Sequence, residues 1–172
     1  MPRELFTPSV LIVDDHASLR RGLRALLQLH ERWEVCGEAV SGESAIEMVA
    51  ALKPDTVLMD VSMPGIGGLE ATKIVHQRWP DVKIVLVTFH KSVELVRAAL
   101  LSGASGYILK SDPESAIIDA LEAAIRDRIF ITPELSPAAV LQVLEELKMS
   151  PSSAGANGDK RAPAKTQLTR PG

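Results

Sequence analysis

The stretch TVLMD, residues 56–60, is a continuous apolar run that ends in a carboxylate. Three similar runs occur elsewhere in the chain, VLIV at 10–13, IVLV at 84–87 and YIL at 107–109. Apolar runs without alternation are typical of strands covered on both faces, as in the interior of a parallel sheet. Residues 33–40 instead alternate apolar or small residues with glutamates, which predicts an edge strand.

Segments with helical periodicity separate these runs. Each places mainly apolar residues on one helix face, at Leu19, Leu23, Leu26 and Leu27; Ala45, Ile46, Val49 and Leu52; Leu69, Thr72, Ile74 and Val75; Val93, Val96, Leu100 and Leu101; and Ile117, Leu121, Ala124 and Ile125. Strict alternation of strands and helices predicts an α/β fold with a doubly wound, five-stranded parallel sheet and right-handed crossovers. A strand order of 2-1-3-4-5 would place residues 33–40 at an edge.

The chain divides into three parts by composition. Residues 1–131 carry the strand and helix pattern and form the predicted domain. Residues 132–149 are predicted to be a helical extension, because Ser136 is a suitable N-cap and Pro137 suits the first helical position. Residues 150–172 are predicted to be a disordered linker, since the sequence from 150 to 166 contains no Leu, Ile, Val or Phe.

Composition and charge exclude several classes of protein. Residues 1–148 hold 15 basic and 21 acidic side chains, a net charge of −6, which argues against direct nucleic-acid binding. No apolar run approaches the ~18 residues of a membrane span, and the first residues lack the apolar segment of a secretory signal. The single Cys36 cannot form an internal disulfide, which favours a cytoplasmic location.

Polar residues follow the strands of the predicted sheet at the point where each strand ends. Asp14 and Asp15 follow the first run, Asp60 ends the stretch at 56–60, Thr88 follows the run at 84–87, and Lys110 follows the run at 107–109. In open α/β folds, ligands bind outside the carboxyl ends of the strands. These five side chains are therefore predicted to form one site.

The residue types at this edge suit phosphoryl transfer. Three neighbouring carboxylates repel one another unless a cation compensates, and hard oxygen ligands favour Mg²⁺. A carboxylate can act as a nucleophile toward phosphorus, while a hydroxyl and an ammonium hold phosphoryl oxygens. Taken alone, Asp14 or Asp15 would instead be interpreted as the N-cap of the following helix, and Asp15 can serve in both roles.

At these residues the chain resembles a response-regulator receiver domain over roughly residues 9–130. The matching segments are the acidic pair in LIVDDH at 11–16, the acceptor in VLMDVSMPG at 57–65, Thr88, and GYILK at 106–110. The Asp-Asp-His opening and the stretch GASGY at 103–107 are most similar to the NarL/LuxR-type subgroup of transcription factors.

The resemblance implies a role for each residue of the acidic site. Asp60 would be the phosphoryl acceptor, assisted by Thr88 and Lys110. Asp14, Asp15 and Asp60 would be the magnesium ligands, joined by the backbone carbonyl of Ser62. The partner would be a sensor histidine kinase, and the protein would be a signalling phosphoacceptor, not an enzyme.

The resemblance also implies residues that control the switch and its access. Thr88 and Tyr107 would change position on activation, and Lys110 would report the new phosphoryl charge to Tyr107. Ser62 and His90, each two residues beyond a site residue, would modulate access of water to the phosphoryl group.

Two segments depart from the family pattern. Many receivers have Pro directly after the lysine, whereas Ser111 follows Lys110 here and Pro113 comes later. Residues 168–170, LTR, resemble only vaguely the opening of a LuxR-type helix-turn-helix. The favoured interpretation is a linker to an effector domain absent from this chain, which would alone contact DNA; the alternative is a stand-alone receiver.

Two other functions compete with this interpretation. A haloacid-dehalogenase-type phosphatase also uses Asp, Mg²⁺, Thr and Lys. That family has an Asp-x-Asp motif at the nucleophile, whereas here Ser62 takes the place of the second Asp. A flavodoxin-like flavin binder would need a hydroxyl-rich loop where Asp14 and Asp15 lie. The GIGG stretch at 65–68 does not fit a dinucleotide motif, because Glu70 stands where the third glycine is required.

The charge pattern predicts a weak homodimer that phosphorylation strengthens. Basic residues on the first helix would meet acidic residues on the fifth helix of a second copy across a two-fold axis, namely Arg20, Arg21 and Arg24 with Asp119, Glu122 and Asp127. A surface formed by the fourth and fifth helices, with Glu94 and Arg97, is the alternative.

Overall fold

The computed structural model describes residues 6–149; the predicted linker at 150–172 lies outside these residues. The strands are β1 (Ser9–Val13), β2 (Glu34–Ala39), β3 (Thr56–Asp60), β4 (Lys83–Thr88), β5 (Gly106–Leu109) and β6 (Phe130–Ile131). The helices are α1 (Ala17–Gln28), α2 (Gly42–Leu52), α3 (Gly68–Arg78), α4 (Val93–Leu101), α5 (Glu114–Ile125) and α6 (Pro137–Met149). The alternation of strands and helices is as predicted.

The sheet has the order β2-β1-β3-β4-β5-β6, and every neighbouring pair is parallel. The predicted order of the first five strands is confirmed, with β2 at an edge. A sixth strand extends the five predicted ones, because the two-residue β6 pairs with Gly106 and Tyr107. A strand this short shows no sequence period. As a result β5 is an interior strand, and Tyr107 is not at a sheet edge.

The core lies on both faces of the sheet, and alternate residues of each strand contribute to opposite faces. Val57 and Met59 pack with α2, α3 and α4, whereas Leu58 packs with α1 and α5. Both sets are buried. This two-sided burial explains why the central strands are apolar without interruption.

The helical extension packs onto the domain. Val143 of α6 is buried, and Arg97 of α4 forms an ion pair with Glu146. The Thr132 N–H donates to the Tyr107 carbonyl, and Leu135 joins the core beneath α4. A domain boundary at residue 131 stays a prediction. Among residues 6–149, no helix combines the length and the apolar character needed to cross a bilayer.

Neither carboxylate of the acidic pair is the N-cap residue of the first helix. His16, not Asp15, is the N-cap residue of α1, and its side chain makes no capping hydrogen bond. The His16 N–H instead donates to Asp14 Oδ1 at 2.8 Å. The two carboxylates after β1 are therefore left for the site at the edge of the sheet.

Candidate functional site

Four strands bring the predicted site residues to one edge of the sheet. Asp14 and Asp60 are 2% and 3% exposed, and Thr88 is fully buried. One ligand atom from each of Asp14, Asp15, His16 and Asp60 lies within 4.8 Å of the others. The predicted convergence of the carboxylates is therefore observed, with an imidazole added.

Lys110 connects the two buried carboxylates. Its Nζ lies 2.9 Å from Asp14 Oδ2 and 3.2 Å from Asp60 Oδ2, and its side chain is only 7% exposed. The ammonium also lies 5.0 Å from the centroid of the Phe89 ring, which is a cation–π contact. Phe89 is 70% exposed, and the sequence analysis did not identify it, because a lone aromatic after a strand carries no motif.

Burial raises the pKa of the Asp60 carboxyl above its ordinary value. The negative charge of Asp14 acts in the same direction, whereas Lys110 and the N–H of Ser62 oppose the increase. The cluster moreover sets one ammonium, Lys110, against three carboxylates. This site has a deficit of positive charge.

A divalent cation fits this deficit. The donor set consists of carboxylate oxygens from Asp14, Asp15 and Asp60, which are the hard ligands that Mg²⁺ prefers. Asp15 is the most exposed of the three, so the cluster is open to solvent on one side. The residues present therefore match a magnesium site.

Asp60 is positioned by the close approach of α3. The Gly68 N–H donates to the Val61 carbonyl at 2.9 Å, and a Cβ on Gly68 would lie 2.1 Å from the Asp60 carbonyl oxygen. Gly65, in the loop before α3, has a φ of +79°, a conformation that favours glycine. These glycines shape the loop beside Asp60, a role that the sequence analysis did not identify.

A chain of hydrogen bonds joins Thr88 to Tyr107 through the backbone of His90. The His90 N–H donates to Thr88 Oγ1 at 3.1 Å, and the Tyr107 hydroxyl donates to the His90 carbonyl at 2.5 Å. Tyr107 is fully buried. His90 thus contributes its backbone N–H and carbonyl to the site, which no side-chain pattern could reveal. Its side chain is exposed.

Burial raises the pKa of Tyr107 to about 12. Tyr107 is the only tyrosine in the chain, so phenolate absorbance reports it directly. We expect ionisation near pH 12 in the folded protein and near pH 10 in urea. The folded pKa lies above the unfolded value, so the stability that this shift contributes is present below pH 10 and is lost as the pH rises through 12. A midpoint near 10 in the folded protein would show that the hydroxyl is accessible to water.

The turn after Lys110 is held by a residue absent from the predictions. Asp112 Oδ2 accepts the Leu109 N–H at 2.8 Å, and Asp112 Oδ1 accepts the Thr132 hydroxyl at 2.9 Å. These two bonds fix the segment from Lys110 to Pro113, where many receivers have a proline directly after the lysine. An Asp two residues after the lysine was the available sequence signal.

Ser62 lies beside Asp60, the predicted acceptor. Its N–H donates to Asp60 Oδ1 at 3.2 Å, and its side chain is exposed. The metal-binding role of its carbonyl and the access-modulating roles of Ser62 and His90 stay predictions.

The charges predicted to join two copies are largely paired within the chain. Glu38 of β2 binds both Arg20 and Arg24 of α1. On the acidic side Arg32 binds Glu122, and Lys83 binds Asp127. These ion pairs within the chain compete with the charge pairing predicted between α1 and α5 of two copies, and that interface stays a prediction. Arg97, of the alternative surface, is paired with Glu146 of α6.

Comparison with known proteins assigns this chain to one family. The model of the response regulator receiver domain matches residues 10–122. The transcriptional regulatory protein DegU of Brevibacillus brevis is 36% identical over 127 residues, which cover 74% of this chain and 54% of DegU.

Solved structures agree in fold. A LuxR-family two-component response regulator from Aurantimonas sp. SI85-9A1 superposes with a TM-score of 0.74 at 31% identity, covering 83% of this chain and 99% of that chain. RcsB, solved as two dimers bound to two DNAs, superposes with a TM-score of 0.69 at 25% identity, covering 81% of this chain and 69% of RcsB. The chain spans between 54% and 66% of the length of the curated relatives compared.

Proposed function

This chain belongs to the response-regulator receiver family, and on that premise we propose that Asp60 accepts a phosphoryl group from the phosphohistidine of a sensor histidine kinase. A receiver is a signalling phosphoacceptor rather than a classical enzyme, so family membership decides against the phosphatase and flavin-binding alternatives. The observation that carries the assignment to Asp60 is the double contact of Lys110, whose Nζ reaches Asp60 and Asp14 at 3.2 and 2.9 Å.

Asp60 has the environment of a nucleophile. It is the only one of the three carboxylates that lies on β3, between the carboxyl ends of β1 and β4. In the transfer, a carboxylate oxygen of Asp60 forms a bond to phosphorus while the bond from phosphorus to the imidazole nitrogen breaks. The bonding electron pair returns to the imidazole of the kinase, so the step needs no further reactant.

Mg²⁺ is the cofactor that the donor set supports, held by Asp14, Asp15, Asp60 and the carbonyl of Ser62. When bound, the ion neutralises charge on the transferred phosphoryl group. Lys110, placed between Asp14 and Asp60, supplies a second positive charge to the same oxygens. The Thr88 hydroxyl now accepts the His90 N–H and keeps its own hydrogen for a phosphoryl oxygen.

The bonds around His90 provide the route to the output. Movement of Thr88 toward a phosphoryl group would remove the acceptor of the His90 N–H, and the His90 carbonyl holds the Tyr107 hydroxyl. Phosphorylation would thereby bias the position of Tyr107 and the loop before α4. The output we propose is control of a DNA-binding domain beyond residue 172, which is absent from this chain.

We also propose a weak homodimer that phosphorylation strengthens and a cytoplasmic location. RcsB, a relative in fold and sequence, has been solved as dimers on DNA, which supports the dimer. The single Cys36 supports the location, because one thiol forms no internal disulfide.

The test is incubation of the protein with acetyl phosphate, with and without Mg²⁺, followed by intact-mass measurement. We expect a mass increase of one phosphoryl group only with Mg²⁺.

We expect Asp15→Asn to lower magnesium affinity by at least about tenfold, because the site loses one ligand and one charge. Unchanged affinity in this variant, measured by calorimetry, would remove Asp15 from the metal site, and absence of any mass increase in the wild type would contradict the proposed function.

A further inference from the structure

We infer that His16 is a fourth protein ligand of the cation site, through Nδ1, and that it raises the affinity of the site for borderline divalent ions such as Ni²⁺ without raising its affinity for Mg²⁺. The inference rests on the proposed function, since it concerns the same site. It assigns this chain a stronger preference for borderline ions than three carboxylates alone would produce.

The spacing of the donor atoms carries the inference. His16 Nδ1 lies 3.0 Å from Asp15 Oδ1 and 3.2 Å from Asp14 Oδ1. Adjacent ligands of an octahedral ion with bonds of about 2.1 Å are about 3.0 Å apart, because the edge of an octahedron is longer than the bond by the square root of two. His16 Nδ1 therefore already lies at the separation of adjacent ligands from an oxygen of each of the two carboxylates.

The backbone fixes where the imidazole is attached. His16 is the extended N-cap residue of α1, and its N–H is bound to Asp14 Oδ1 at 2.8 Å. The side chain is 60% exposed, so its ring can adjust without disturbing the core. An ion entering from solvent would therefore meet the imidazole together with the carboxylates.

The contacts of Lys110 leave the carboxylate oxygens near His16 available to a cation. Lys110 binds Oδ2 of both Asp14 and Asp60, whereas His16 contacts Oδ1 of Asp14. The ammonium and the imidazole thus contact different oxygens of the same carboxylate. The oxygens that face His16 can bind a cation without displacement of Lys110.

Ligand chemistry gives the direction of the preference. Imidazole suits Ni²⁺, Co²⁺ and Zn²⁺, whereas Mg²⁺ takes oxygen ligands and retains several waters. Removal of the imidazole should therefore weaken the borderline ions and leave Mg²⁺ almost unaffected. This difference separates a true ligand from a residue that only orients Asp14.

The experiment is calorimetric titration of the full chain with NiCl₂ and with MgCl₂. The variant is His16→Asn, because Asn is a preferred N-cap residue and keeps the start of α1. His30→Ala is the matched control, since His30 is exposed at the end of α1, away from the carboxylates. We expect His16→Asn to weaken Ni²⁺ binding by at least about tenfold, consistent with loss of one ligand, to change Mg²⁺ binding by less than about twofold, and His30→Ala to change neither.

Three results would overturn the inference. Unchanged Ni²⁺ affinity in His16→Asn would show that the imidazole is not a ligand, and the proposed function would stand if Mg²⁺ still binds. Equal weakening of both ions would show that His16 acts only through Asp14. An equal loss of Ni²⁺ affinity in His30→Ala would show binding at surface histidines. Absence of Mg²⁺ binding in the wild type would contradict the magnesium site itself, independently of the Ni²⁺ results.

Discussion

We expect the Asp60→Asn protein to gain no phosphoryl group from acetyl phosphate and Mg²⁺ and, at neutral pH, to be more stable than the wild type. The amide keeps the shape of the carboxylate but has no nucleophilic oxygen anion. The loss of phosphoryl acceptance should therefore be complete within the sensitivity of intact-mass measurement. Asp119→Asn, the same change at an exposed position on α5, should retain the full mass increase.

The gain in stability follows from the raised pKa of Asp60. Burial is the main cause of this shift, so folding favours the protonated form. Stability from this group is present below the unfolded pKa of about 3.9 and is lost as the pH rises through the folded pKa. At pH 7, well above the unfolded pKa, the Asp60 carboxyl group therefore opposes folding, and Asn removes that cost.

Urea unfolding at two pH values tests the expected gain in the stability of Asp60→Asn. At pH 7 we expect Asp60→Asn to raise the free energy of unfolding by about 1 kcal/mol, the usual size of a single-substitution effect. The difference should shrink near pH 3.5, where Asp60 is mostly protonated in the unfolded chain and, because its folded pKa is raised, even more so in the folded one. A less stable variant at pH 7 would show that the contact between Lys110 and Asp60 outweighs burial, and a phosphorylated variant would place the acceptor elsewhere.

The sequence was sufficient for the sheet and for the carboxylates because both follow from position along the chain. The run at 56–60 had to be apolar on both faces, and its last residue had to reach the carboxyl edge. Asp14, Asp60 and Lys110 are therefore brought together by topology alone, and the contacts of Lys110 confirm it. The order of the first five strands was predictable for the same reason.

Features that depend on three-dimensional contacts could not be predicted. The β6 strand has two residues, too few for a period, and the bridge from Thr88 to Tyr107 uses the peptide group of His90. Arg20 and Arg24 of α1 were predicted to contact a second copy because sequence does not show that Glu38 of β2 lies beside them. Ion pairs between a helix and a neighbouring strand therefore decide which charged side chains remain available to a second copy.

The importance of Gly68 could not be predicted either, because it depends on a close contact with the backbone of Asp60 and Val61. A Cβ at Gly68 would lie 2.1 Å from the Asp60 carbonyl oxygen and 2.9 Å from Val61 Cα. Both neighbours are backbone atoms, which cannot rotate away as a side chain can. The first turn of α3 or the end of β3 must therefore move to admit a methyl group.

We expect Gly68→Ala to lower the free energy of unfolding by about 2–3 kcal/mol, at the upper end of overpacking costs. Displacement of Asp60 from Lys110 should also slow phosphoryl acceptance by at least about tenfold, because small misplacements of a reacting group are costly. Gly22→Ala is the matched control: Gly22 lies within α1 with nothing within 4 Å of its Cβ position, so the change should stabilise the helix by up to about 1 kcal/mol. Urea unfolding and the rate of the mass increase give both readouts. A Gly68→Ala protein as stable and as rapidly phosphorylated as Gly22→Ala would show that the contact between α3 and β3 does not hold Asp60 in place.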